Sequence, residues 1–490
     1  MPSISLSPPS HPGLKKFDKS LFTTTHQVYA LLLKDLKSLP IFLGNKKSPS
    51  PLPLSLPSHP SIIDYPLTLL SENELKELPK RPKALLLSTS YGEPPNEISL
   101  PLNYAEQLKN IKHLIKPFTI TLDSNYWTHD QLLKACLPEE LRNEAPTSFT
   151  IAGHLAHLNL KDEYLRYKHL IGEIILFKYP QIKTVVNKTN EIHTVYRTFS
   201  MELLAGEADY EVIQKESGCQ FKFDFRKVYW NSRLATEHER LVNLFEPGEA
   251  VCDVMAGVGP FTVPAGKKGV WIWANDLNPD SYKWLKFNLE NNKVETVKSF
   301  NEDGADFIKK SANSIYEWHI ENPVLSKNIY VKREKEEGLL NKEENINKKR
   351  KGGNDIKSVK KRISKETPSF FSHYVMNLPD SAINFLPNYV GLFSRGFPNK
   401  SIEEIKSIKG YRLPYIHCHH FEKYKEEEVE GEVSEFLANR MLKKMNKLMD
   451  FDFDLSKVNF HVVRDVAPCK IMYCISFELP EAVAFRNVDI

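Results

Sequence analysis

Apolar positions change their rhythm near residue 241. Beyond it, short apolar runs alternate with amphipathic stretches: AVCDVMAG then VGPFTVPAGKKG, and VWIWANDLNPDSYKWLKFNLENN. Strand, Gly-rich turn, helix and strand in that order predict a parallel, doubly wound α/β sheet. His373-Tyr374-Val375-Met376 reads as a further buried strand, stopped by Asn377-Leu378-Pro379-Asp380 because a proline denies the ladder a donor. Before 241 the pattern is shorter and more alternating. TSFTIAGHLAHLNL, EIILFKYP, IKTVVNK, IHTVYRTFSMELLAG and CQFKFDF predict strands of an α+β module over 147–228. NYWTHDQLLKACLP predicts a helix capped by Thr128, and ENELKELPKRPKALLLSTSYG a charged helix followed by a short strand.

A chain of 490 residues is too long for one ordinary core, so two or three domains are expected. KKSPSPLPLSLPSHPS, at 46–61, reads as an extended linker. The predicted division is a tail and linker over 1–66, an N-terminal region over 67–146, the module over 147–228 and the α/β domain over 229–490. Within the last, 326–366 carries 14 Lys or Arg against 7 Asp or Glu and almost no aromatic residues. Such a stretch buries too little to fold and is predicted to be a disordered insertion. Its clusters KKRKGG and VKKRISK suit nuclear import, nonspecific RNA contact or a solvated loop.

Charge narrows the picture little. A net +4 and a pI near 8.4 make any nucleic-acid footprint a local patch. Six cysteines, at 136, 219, 252, 418, 469 and 474, lack a close pair of metal spacing and read as reduced thiols. On a strand, His417 and His419 face away from Cys418 and His420, so no metal site is expected. No window approaches the roughly 20 apolar residues of a membrane span. The N-terminus has no acid before Asp18, which fits organelle targeting or an ordinary tail.

The chemistry concentrates at the strand ends. In Asp253-Val254-Met255-Ala256-Gly257-Val258-Gly259-Pro260-Phe261, two glycines let the backbone turn tightly and approach a ligand. No third glycine follows Gly259 at the dinucleotide spacing, which favours another adenosyl ligand over a nicotinamide. Asp276, 17 residues beyond Gly259, stands near the position that holds ribose hydroxyls. Asp303 could accept from an adenine amino group, with Gly304 leaving room for the ring. One acidic residue per βα unit reads as a pocket for S-adenosylmethionine. Asn377 then ends the fourth strand beside the cofactor's methyl end.

VYWNSRLATEHERL at 228–241, DVMAGVGPF, NLPD and VRDVAPCKIMYCISFELP at 463–480 together resemble the eukaryotic and archaeal tRNA (guanine-N1)-methyltransferases over 147–490. The resemblance implies a class I (Rossmann-like) methyltransferase domain with an α+β middle module and an N-terminal tRNA-binding region. It implies methyl transfer from S-adenosylmethionine to N1 of guanosine 37 in tRNA, also the first step toward wybutosine in tRNA-Phe. Removing the N1 proton needs a base, and charge then builds on O6. Carried over by position, Glu237 would be that base and Arg197 would stabilise O6, while Tyr229 holds the guanine and Asn377 and Pro379 frame it. His238, Asp253, Gly257, Gly259, Asp276, Leu277, Asp303, Gly304 and Asn377 would surround the cofactor, with Asp253 supporting the loop from below. Arg233 is expected to bind a phosphate or order a loop. A monomer distributed among cytoplasm, nucleus and mitochondrial matrix is expected. The alternatives are the tRNA aminocarboxypropyltransferase of wybutosine synthesis and a noncatalytic tRNA-binding protein of the same fold.

Overall fold

The structure is a computed structural model that describes residues 4, 6–45, 48–49, 52–88, 102–109, 111, 113–193, 196, 198–332 and 358–487. The chain divides into two compact units, one of Met1–Phe149, Ala156–Asn187 and Glu202–Ala208, the other of Thr150–Leu155, Lys188–Met201 and Asp209–Ile490.

The first unit contains a four-stranded antiparallel sheet in which Thr24–Leu33 lies between Lys83–Leu86 and His113–Leu122, with Ile62–Asp64 at the edge. The expected tail over 1–66 is therefore largely folded. Phe22 is buried and its carbonyl accepts from Trp127 Nε1 at 2.8 Å. The expected linker is also packed: Leu52, Leu54 and Leu56 are buried, and Leu54 N–H donates to Leu86 O. Its alternation of Leu with Pro or Ser is a strand period in which the apolar positions turn inward. Thr128 caps the helix His129–Cys136 in a reciprocal capping box with Gln131. One strand prediction fails, because EIILFK belongs to the helix Lys168–Lys178. Leu170, Ile171, Ile174 and Ile175 are buried at helical spacing, a rhythm the four-residue apolar run from Ile174 to Phe177 does not reveal.

The second unit is built on a seven-stranded sheet. Its strands, numbered along the chain, are β1 (Ala250–Asp253), β2 (Trp271–Asn275), β3 (Val297–Phe300), β4 (His373–Met376), β5 (Tyr415–Lys423), β6 (Val458–Ala467) and β7 (Lys470–Glu478). The order is β3-β2-β1-β4-β5-β7-β6. The first five strands are parallel, and β7 runs antiparallel to β5 and β6. This is the class I methyltransferase arrangement expected from the sequence. Helix α1 (Ala235–Leu244) precedes β1, and α2 (Thr262–Lys268), α3 (Pro279–Asn291) and α4 (Gly304–Glu321) follow β1, β2 and β3. β1 and β2 are buried throughout, as parallel strands covered on both faces require.

Two boundaries differ from expectation. The module over 147–228 is divided between the units, and its last hairpin, Glu211–Glu216 with Cys219–Asp224, joins the second. It is tied to α3, where Asn288 Oδ1 accepts from Lys222 N–H at 2.8 Å and Asn292 Oδ1 from Gln220 N–H at 3.0 Å. The insertion is not structureless at its ends: Val324–Lys332 and Ser358–Glu366 pair as an antiparallel ribbon. Alternating residues such as Ile329, Val331, Val359 and Ile363 carry the strand propensity that the charge count hid. The KKRKGG cluster lies outside the described residues.

Candidate active site

The C-terminal ends of β1, β2, β3 and β4 open on one cavity of about 450 Å³. At its floor the loop after β1 turns through Gly257 (φ 58°) and Gly259 (φ 97°), a left-handed backbone that glycine adopts without strain. A Cβ on Gly259 would strike Leu285 and Val263 at 2.8 and 2.9 Å, whereas one on Gly257 would meet nothing within 4 Å. Gly259 thus serves packing and Gly257 leaves space at the cavity wall.

Asp276 fixes this loop from the neighbouring strand end. Its Oδ2 accepts from Gly257 N–H at 2.8 Å and its Oδ1 from Asn278 N–H at 2.9 Å. Burial raises its carboxyl pKa, and these two backbone bonds work in the opposite direction. Asp303 lines the wall and caps α4 through Oδ1, which accepts from Ala305 N–H at 2.8 Å. Gly304 lines it too, and a Cβ there would press on the Phe385 and Val254 side chains at 3.2 and 3.3 Å, so they would have to yield by a few tenths of an ångström. Asp253 stands below the wall, fully buried, with Oδ2 accepting from Thr262 Oγ1 at 2.7 Å. Burial pushes its carboxyl up to about 7.

Sequence reasoning missed Asn275. This buried side chain lines the cavity, donates to Val254 O and Glu302 O, and accepts from Glu302 N–H, locking three strand ends together. A polar residue closing the apolar run of β2 was the available signal. Tyr196, Trp230, Phe261, Phe385, Phe421 and Lys470 are also in the wall, without having been singled out.

After β4, Leu378 O accepts from Ser381 and Ala382 N–H, and Pro379 O accepts from Phe421 N–H at 2.9 Å. The turn is thereby pinned to β5. Asn377 lines the cavity, and its Oδ1 is buried with no hydrogen-bond partner among the described residues. Leaving such an acceptor unmet costs roughly 1–3 kcal/mol, which a ligand donor would recover. Tyr229, Leu277 and His238 also line the cavity. Arg197 lies outside the described residues, and Arg233, exposed on the turn before α1, is not in the wall.

Glu237 departs from expectation in placement. It does not line the cavity; it is 4% exposed, with Arg240 Nε 2.6 Å from Oε2 and His419 Nε2 2.8 Å from Oε1. The register places His419, Cys474 and His461 opposite one another on β5, β7 and β6, beneath α1. Desolvation alone would raise the Glu237 carboxyl, but the bonds from Arg240 and His419 outweigh it and hold the pKa at about 2. Glu237, His419 and Cys474 have donor atoms of metal-ligand type within 4.8 Å of one another. The Arg240 guanidinium already supplies positive charge to that carboxylate, so the cluster reads as an ion-pair network.

Residues 212–321 match the family model for the TRM5/TYW2 methyltransferase domain, and 129–209 that for the TYW2 N-terminal domain. The tRNA (guanine(37)-N(1))-methyltransferase of Candida albicans (strain WO-1) is 46% identical over 389 residues, covering 79% of this chain and 82% of that protein. Its namesake in Coprinopsis cinerea is 41% identical over 484 residues, 98% of both chains. The chain belongs to the tRNA (guanine(37)-N1)-methyltransferase family. Its Saccharomyces cerevisiae relative is 40% identical and covers 97% of this chain and 95% of its own. Such an enzyme methylates N1 of guanine 37, so the curated relatives favour this reaction over aminocarboxypropyl transfer. Trm5b from Pyrococcus abyssi shares the fold at a TM-score of 0.53 and 21% identity, covering 92% of this chain and 99% of that one. A structure described as the complex of aTrm5 and tRNALeu gives 0.54 at 18% identity, covering 92% of this chain and 100% of that one.

Proposed function

We propose that this methyltransferase uses S-adenosylmethionine as its donor and that the cavity at the ends of β1 to β4 holds both the donor and guanine 37. The observation that carries this is the unpartnered Asn377 Oδ1 in a wall that also presents Asp276, Asp303 and the open face of Gly257. Asp276 is suited to ribose hydroxyls and Asp303 to the adenine amino group, each retaining acceptor capacity beside its backbone bonds. Bound there, the donor supplies a methyl group on an electrophilic sulfonium.

The guanine must leave the anticodon-loop stack to reach this cavity. Asn377 Oδ1 then accepts from a guanine N–H, with the pinned Pro379 turn holding the side chain in place, and Tyr229, 46% exposed, offers its ring to the base. Glu237 is ionised at neutral pH, as a base must be. Glu237 does not line the cavity in this structure, so it takes the N1 proton only after its carboxylate has left Arg240 and His419 and turned toward the guanine. Arg197 is the proposed partner of O6. The chain acts as a monomer, and its acid-poor N-terminus and KKRKGG cluster support a distribution among mitochondrial matrix, cytoplasm and nucleus.

The test is methyl incorporation from labelled S-adenosylmethionine into tRNA carrying guanosine 37 and into a version carrying adenosine there, followed by nucleoside analysis. 1-Methylguanosine confined to the first tRNA supports the reading. Incorporation into both, or into neither despite cofactor binding, overturns it.

A further inference from the structure

His238 stands at the cavity wall with its ring edge-on to Phe261, centroids 4.8 Å apart. Its Nδ1 lies 2.6 Å from Glu216 Oε1. The two side chains are only 4% and 6% exposed. Glu216 closes the first strand of the hairpin Glu211–Glu216 with Cys219–Asp224, immediately before a turn through Ser217 (φ 48°) and Gly218 (φ 68°). A carboxylate at the lip of such a turn ordinarily faces water. Burying it costs several kcal/mol unless a partner compensates, and the partner here is the imidazole. Asn288 and Asn292 grip the backbone of the opposing strand, so the place of the carboxylate is set by main-chain geometry.

A carboxylate accepting from Nδ1 keeps the proton on that nitrogen and leaves Nε2 for whatever enters the cavity. We propose that Glu216 is a positioning residue for cofactor binding, fixing the ring and tautomer of His238 so that Nε2 is presented to S-adenosylmethionine. This deepens the proposed function and rests on its assignment of the cavity. Glu216 is absent from the cavity wall and acts through His238 alone.

The experiment is a double-mutant cycle on the full chain. S-adenosylmethionine affinity is measured by calorimetry for the unmodified protein, Glu216→Ala, His238→Ala and the double variant, with KM and kcat alongside. Each single change should weaken binding about 10-fold, and the double variant should be no weaker than the worse single one, because both remove one unit. KM for the cofactor should rise more than kcat falls. Glu216→Gln, which keeps an acceptor for Nδ1–H, should recover most of the affinity, and if the alanine variant does not fold, Glu216→Met, similar in length but without that acceptor, takes its place in the cycle. Additive losses, or native affinity in a folded Glu216→Ala protein while His238→Ala weakens binding, overturn the inference. Failure of the folded, unmodified protein to bind the cofactor would instead overturn the proposed function.

Discussion

Glu237 Oε1 lies 2.8 Å from His419 Nε2, and both side chains are shut off from solvent. Burial opposes charge on either group, yet Glu237 is held below its ordinary range by Arg240 and His419, and His419 above its own by Cys474 and Glu237. The two shifts act on stability from opposite sides. The depressed carboxyl contributes above its unfolded value of about 4.3, and this contribution is lost as the pH falls through the folded value. The raised imidazole contributes below about 6.5, and this contribution is lost as the pH rises through its folded value. Urea unfolding across pH should therefore show a maximum between about 4.5 and 6.5 for this pair, flattened in Glu237→Gln. A curve unchanged by that substitution would exclude the pair as its source.

Removing the carboxylate altogether is a different experiment. Glu237→Ala leaves Arg240 and His419 facing a buried gap, and breaking a buried ion pair costs roughly 3–5 kcal/mol. Glu237→Gln keeps most of the volume and should cost less. If Glu237 also takes the N1 proton, the Gln variant should retain cofactor affinity while its single-turnover methylation slows by about 100-fold or more. Native single-turnover rates would remove it as the base.

The parts of this molecule that were legible before its structure are those where local chemistry and global position agree. The strand–glycine turn–helix unit from Ala250 to Lys268 was readable because parallel strands are apolar throughout and Gly257 and Gly259 punctuate them. The position of Asp276 was readable because the apolar run Trp271–Asn275 marks the second strand and Asp276 follows its end, where the structure puts it in the cavity wall. The orientation of Glu237 was not. Glu237 and His238 are adjacent on α1 and both buried, but one joins the β5–β7–β6 face and the other the cavity, a distinction that depends on how the helix is rotated over the sheet. Pro and Ser around Leu52, Leu54 and Leu56 likewise give this stretch the composition of a linker, while the two-residue period of its leucines carries the burial.

The two glycines of the loop should separate stability from binding. Gly259→Ala forces a left-handed residue and a clash with Leu285 and Val263, so it should lower stability by about 1–3 kcal/mol. Gly257→Ala carries a similar backbone penalty but no clash, and its methyl stands at the cavity wall. Thermal unfolding should therefore report the larger loss for Gly259→Ala, and cofactor titration the larger loss for Gly257→Ala relative to its stability change. Equal effects in both measurements would mean that Gly257 leaves no space a ligand uses.

Asn377 offers the sharpest division between folding and chemistry. A buried carbonyl without a donor is a cost to the free protein, so Asn377→Ala should leave the unfolding midpoint unchanged or slightly raised. In methyl transfer the same atom is expected to meet a guanine N–H, and losing a bond of about 1–3 kcal/mol predicts a fall in kcat/KM of about 5- to 150-fold. The loss should fall on the tRNA arm, with cofactor affinity changing less, because the turn that carries Asn377 is held by Phe421 and Ser381 whether or not its side chain remains. A variant that lost stability in proportion to activity would show instead that Oδ1 supports the fold.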